Sequence, residues 1–100
     1  MMKFETISSK ELDRYVNDSH AVIIDIRSKE EYNKGHIKNA VNIPGDCLRN
    51  SCLICRDKTV ILYCERGSSS MILARELSNK GYHVKSVVGG IHAYPGHMIE

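Results

Sequence analysis

Cysteine, arginine, glycine and three serines crowd into one short stretch, Cys64-Glu65-Arg66-Gly67-Ser68-Ser69-Ser70. Before it runs Thr59-Val60-Ile61-Leu62-Tyr63, an apolar segment suited to a strand covered on both faces. After it, Met71 to Leu77 reads as a helix with apolar residues at Ile72, Leu73 and Leu77, and Ser69 or Ser70 is placed to cap it. A thiol at a strand's C-terminal end, facing a helix N-terminus, lies among unpaired N–H groups that favour negative charge. That environment stabilises a thiolate and makes a nucleophile. The N–H groups from Glu65 to Ser70 are expected to turn inward as an anion-binding nest, with Gly67 supplying the positive φ of a tight curve. Arg66 adds a permanent charge able to hold an anionic substrate by paired hydrogen bonds.

The elements that must position this loop follow from periodicity and capping. Phe4 to Ile7 predicts a first strand, and Ser8-Ser9-Lys10-Glu11 is a capping box with Ile7 and Leu12 as its hydrophobic staple. Leu12, Tyr15 and Val16 give the first helix one apolar face. Ala21 to Ile26 predicts a buried strand, and Ser28-Lys29-Glu30-Glu31 opens a short helix that stops near Gly35. Ala40 to Ile43 predicts a brief strand, and Asp46 to Cys55 a helix. The helix after the loop carries a Glu76/Lys80 pair and ends at Gly81, and Val84 to Val88 predicts the last strand, followed by Gly89-Gly90. Strands alternating with helices imply an α/β fold with a mostly parallel sheet between helical layers. In such sheets ligands bind beyond the carboxyl ends of the strands, where Cys64 falls.

Composition narrows the function classes. One hundred residues, 42% hydrophobic and 26% charged, suit one globular domain spanning 1–100. A net charge of +2 without a basic stripe argues against a nucleic-acid partner. No apolar run approaches the roughly 20 residues of a membrane span, and the first residues lack a secretion signal, so a cytoplasmic location is expected. The four cysteines are then expected to be mostly reduced.

Four motifs in order carry a resemblance: Asp25-Ile26-Arg27; Glu31-Tyr32-x-x-Gly35-His36-Ile37-x-x-Ala40-x-Asn42-Ile43-Pro44; Cys64-Glu65-Arg66-Gly67-Ser68-Ser69; and Gly89-Gly90-Ile91-x-Ala93-Tyr94. Over nearly its whole length the chain resembles a single-domain rhodanese, a thiosulfate sulfurtransferase. Tyr94 stands where that family often has Trp. The resemblance implies a three-layer α/β/α domain with a five-stranded, mostly parallel sheet. It also implies that Cys64 attacks the outer sulfur of thiosulfate, releases sulfite and keeps a persulfide. Polysulfide or a partner protein's persulfide suits the same site as donor, and cyanide or a thiol takes the sulfur on. That is covalent catalysis in two steps, with no cofactor or metal. Glu65, Arg66, Gly67, Ser68, Ser69 and Ser70 would form the substrate-binding loop, with Arg66 on the sulfonate end of the donor.

Two alternatives stand beside this reading. One is a non-catalytic or regulatory sulfur-binding module on the same fold. The other is a phosphatase, whose related loop, Cys-x5-Arg, is longer; the sixth position after Cys64 is Ser70, so the clamp for phosphoryl oxygens is missing. Arsenate reduction meets the same objection.

The remaining polar residues read as structural. Asp25 and Arg27 could orient the site from behind the loop, but they follow a buried strand, where charges persist only when paired, and Glu31 is a candidate partner for Arg27. His36 suits a backbone hydrogen bond, and the histidines show no ligand spacing. Cys52-Leu53-Ile54-Cys55, with Cys47 nearby, fits a zinc half-site or redox pair, but Leu48, Cys52 and Cys55 also share one helical face and read as core. The short C-terminus, Pro95 to Glu100, is expected to leave the site rim bare and to favour large acceptors.

Overall fold

The computed structural model describes residues 4–49, 56–94 and 98–99. Five strands, β1 (Glu5–Ile7), β2 (Ala21–Asp25), β4 (Val41–Asn42), β5 (Thr59–Tyr63) and β6 (His83–Val87), form one sheet in the order β1-β6-β5-β2-β4. Every pairing within it is parallel. The crossovers carry α1 (Ser9–Leu12), α2 (Lys29–Lys34), α3 (Gly45–Arg49) and α4 (Ser68–Asn79). A separate pair, β3 (His36–Ile37) and β7 (Met98–Ile99), runs antiparallel.

Alternation along the central strands divides the core into two layers. Ile24, Val60, Leu62 and Val84 pack with Leu48 of α3 and with Leu73, Ala74 and Leu77 of α4. Ile23, Ile61, Tyr63 and Val87 pack on the opposite face with Leu12 of α1. The sheet is thus enclosed between helical layers, as expected for this α/β class. Cys64 continues the β5 alternation onto the α4 face and is 7% exposed.

Both predicted capping boxes are present. Ser8 accepts from the Glu11 N–H at 3.1 Å, and Ser28 accepts from the Glu31 N–H at 3.2 Å. In each, the glutamate returns the bond to the serine N–H. The Ser8 hydrogen bonds hold the Glu11 carboxyl below its ordinary range. Ile7 and Leu12 meet in one core cluster, as the staple requires.

Several expectations change. The first helix is one α-turn followed by a 3-10 turn over Asp13–Tyr15. The strand at 40–43 contracts to Val41–Asn42, and the last strand ends at Val87, leaving Val88 exposed. In α4 the buried face is Ser70, Leu73, Ala74 and Leu77, whereas Ile72 is 58% exposed. Glu76 pairs with Arg49 of α3 at 2.7 Å, and Lys80 donates to the Arg49 carbonyl at 3.0 Å, so helix-to-helix partners replace the local Glu76/Lys80 pair. In the C-terminal segment, Met98–Ile99 adds a short strand beside His36–Ile37 that the sequence reading did not include. Among the described residues, no helix is long and apolar enough to cross a membrane.

Candidate active site

The Cys64 loop closes at the carboxyl end of β5, between β6 and β2 in the sheet. Its back is stitched to the turn after β6. Ile91 N–H donates to the Cys64 carbonyl at 2.9 Å and His92 N–H to the Glu65 carbonyl at 3.3 Å. That contact is main chain against main chain. A Cβ on Gly90 (φ +61) would lie 2.4 Å from the Cys64 carbonyl oxygen, and one on Gly67 (φ +104) would lie 3.0 Å from the Gly89 nitrogen. The Gly89-Gly90 pair is therefore required by close approach as well as by conformation.

Gly67 is the N-cap of α4, replacing the predicted Ser69 or Ser70, and no side chain caps this helix. The Gly67 N–H donates to Cys64 Sγ at 3.0 Å. This one main-chain donor, rather than the expected ring of amides from Glu65 to Ser70, is hydrogen-bonded to the sulfur among the described residues. Ser68 and Ser69 are exposed on the first turn of α4. Ser70 is fully buried; its hydroxyl donates to the Gly67 carbonyl at 3.0 Å and bonds the Ser86 hydroxyl at 2.8 Å. Ser70 thus holds the loop to β6. The Arg66 side chain is exposed and makes no ion pair among the described residues.

Asp25 and Arg27 form the floor beside the loop. Asp25 is fully buried and the Arg27 side chain is 8% exposed, 2.9 Å apart. Asp25 also accepts from the Tyr63 hydroxyl at 2.6 Å, across the Asp25–Tyr63 register pair of β2 and β5. Burial, then this hydrogen bond, pushes the Tyr63 phenol well up. Burial works against the Arg27 charge, but hydrogen bonding and attraction from Asp25, with Glu65 adding to them, more than offset it and raise its pKa. The expected Glu31 partner is instead occupied at its own capping box, and Arg27 reaches Glu65 at 3.3 Å and the Gly35 carbonyl at 2.7 Å.

Glu65 therefore departs from the sequence expectation as a loop residue for substrate. Its carboxylate is shared between Arg27 and His92, with His92 Nε2 at 2.6 Å. His92 drew no functional reading from sequence, because its partner is distant in the chain and no local pattern joins them. A cleft of about 450 Å³ opens here, lined by Arg27, Glu31, Lys34, Gly35, Glu65, Ile91 and His92. His36 is buried and stacked on Tyr32, with Nδ1 at 2.9 Å from the Tyr32 carbonyl, as its backbone role predicts. Cys47 is exposed with a free thiol, and Leu48 is buried. Cys52 and Cys55 lie outside the described residues. No group of three or more metal-ligating side chains comes together among the described residues.

Comparison with known proteins places this geometry in context. The chain is 41% identical over 86 residues to a tRNA sulfurtransferase from Desulfurococcus amylolyticus, but spans 17% of that protein's length. It is 29% identical to a tRNA uridine(34) hydroxylase from Erwinia tasmaniensis, of which it spans 27%. With the thiosulfate sulfurtransferase GlpE of Coxiella burnetii it shares 32% identity over 98 residues, covering 96% of this chain and 92% of that one. Among solved structures, a rhodanese-like domain protein from Staphylococcus aureus superposes with a TM-score of 0.83 at 28% identity, covering 94% of both chains. The Rhodanese-like domain pattern matches residues 8–96. With that match along most of its length, the chain belongs to the rhodanese-like domain family.

Proposed function

We propose that this domain is a sulfurtransferase that carries sulfane sulfur as a persulfide on Cys64. The observation that carries the reading is the Gly67 N–H on Cys64 Sγ at 3.0 Å, at the uncapped head of α4. A donor there stabilises charge on sulfur both when the thiolate attacks and when it departs. In the first step Cys64 Sγ bonds to the outer sulfur of thiosulfate, the S–S bond of the donor breaks, and sulfite leaves with its electron pair. Sulfite is a stable anion, so its departure needs no proton. In the second step a thiol or cyanide attacks the outer sulfur and Cys64 departs as thiolate. The exposed Arg66 is available to the anionic end of the donor. Thiosulfate, polysulfide and a partner protein's persulfide all satisfy this chemistry, and the sulfurtransferase relatives support the class of reaction rather than one donor.

Thiosulfate:cyanide turnover with and without Cys64→Ser tests the proposal. Loss of at least about a hundredfold in the variant is expected for removal of a covalent nucleophile. Turnover in the parent with an undiminished Cys64→Ser variant would sink it.

A further inference from the structure

We propose that His92, oriented by Glu65, is the base that deprotonates a small thiol acceptor in the cleft beside Cys64. The inference rests on the Cys64 persulfide reading and extends it to the second half of the reaction. His92 Nε2 lies 2.6 Å from a carboxylate oxygen of Glu65. An ionised carboxylate only accepts, so Nε2 carries a hydrogen, and in the neutral imidazole the lone pair then lies on Nδ1. The other Glu65 oxygen receives Arg27 at 3.3 Å, and Arg27 is fixed in turn by buried Asp25. A carboxylate held in this way fixes the imidazole tautomer and stabilises the imidazolium that forms.

Position supports the same role. The His92 side chain is about half exposed and lines the cleft of about 450 Å³, a volume suited to a small molecule. Two cleft residues are tied to Cys64 through the main chain: Glu65 follows it in sequence, and Ile91 donates its N–H to the Cys64 carbonyl. The charged groups facing His92 are Glu65 from the loop, Arg27 from the end of β2, and Glu31 and Lys34 from α2. Arg27 is already neutralised by Asp25 and Glu65.

The step balances without an added oxidant or reductant. Cys64–S–SH meets R–SH, and His92 Nδ1 takes the thiol proton. The resulting thiolate forms a bond to the outer sulfur as the Sγ–S bond breaks. Its electron pair returns to Sγ, beside the Gly67 N–H. The products are R–S–SH, the Cys64 thiolate and imidazolium, which releases its proton to water.

The experiment separates the two half-reactions. The protein is loaded with thiosulfate, one sulfur on Cys64 is verified by mass, excess donor is removed, and discharge is followed with glutathione or with sulfite. Sulfite carries no S–H. For His92→Gln at about pH 7, discharge to glutathione should slow roughly a hundredfold while discharge to sulfite stays within about twofold. The deficit should close as pH rises into the thiol's own ionisation range, and added imidazole should restore His92→Ala. Equal losses with both acceptors, or no loss with glutathione, would overturn the role of His92 while leaving Cys64 in place. A parent protein that takes up no sulfur would overturn the Cys64 reading, and this inference with it.

Discussion

Two strand-to-helix crossings lie side by side at the same edge of the sheet, and they are finished in opposite ways. Where β2 passes into α2, polar groups are closed by side chains. Asp25 binds the Arg27 side chain and its N–H, and accepts from Tyr63, while Ser28 and Glu31 cap the helix. Where β5 passes into α4, the cap is Gly67, without a side-chain cap, and its N–H goes to a thiol. A side-chain cap fills the place that an incoming anion would take. The first crossing is therefore a clamp and the second a site, and Glu65 joins them by pairing with Arg27.

Substitutions in the clamp should cost stability, and substitutions in the site should cost chemistry. The largest stability loss is expected for Asp25→Asn, which removes the buried carboxylate paired with Arg27 and leaves only the partly exposed Glu65 at 3.3 Å. About 3–5 kcal/mol is expected, read from the denaturant midpoint. Gly90→Ala comes next. Its Cβ meets main-chain atoms of Cys64 and Glu65 in a left-handed conformation, so the loop itself must shift. A loss of about 2–4 kcal/mol is expected, with turnover falling further than stability explains. Gly81→Ala is the control: its φ is also positive, but its Cβ meets only the Arg56 side chain, far from the sulfur. The smallest effect separates the two helix heads. Ser28→Ala should cost about 1 kcal/mol for its lost cap, while Ser69→Ala, which removes no cap, should be close to neutral. An equal cost at both serines would mean that the heads are not finished differently.

Local patterns carried much of this into the sequence. The capping boxes at Ser8 and Ser28, the apolar run ending at Tyr63 and the stop at Gly81 all depend on near neighbours, and all appear where expected. What was hidden depends on contacts across the fold. Glu65 meets Arg27 across 38 positions of sequence, and His92 joins them through the turn after β6. Glu76 finds Arg49 because α3 lies against α4, a partner no i,i+4 rule supplies. Ile72 looked like a core residue by type, yet Ala74 takes the buried position because it lies on the same helical face as Leu73 and Leu77. Serines outrank glycine as caps by propensity, but only a residue free to adopt φ +104 brings its N–H onto Cys64 Sγ.

The most direct measurement is intact and peptide mass spectrometry of the parent protein after mixing with thiosulfate, then after adding cyanide. One extra sulfur should map to the peptide containing Cys64, vanish with cyanide, and never appear on Cys64→Ser. Sulfur that maps to Cys47, Cys52 or Cys55 while Cys64 stays unmodified would contradict the account.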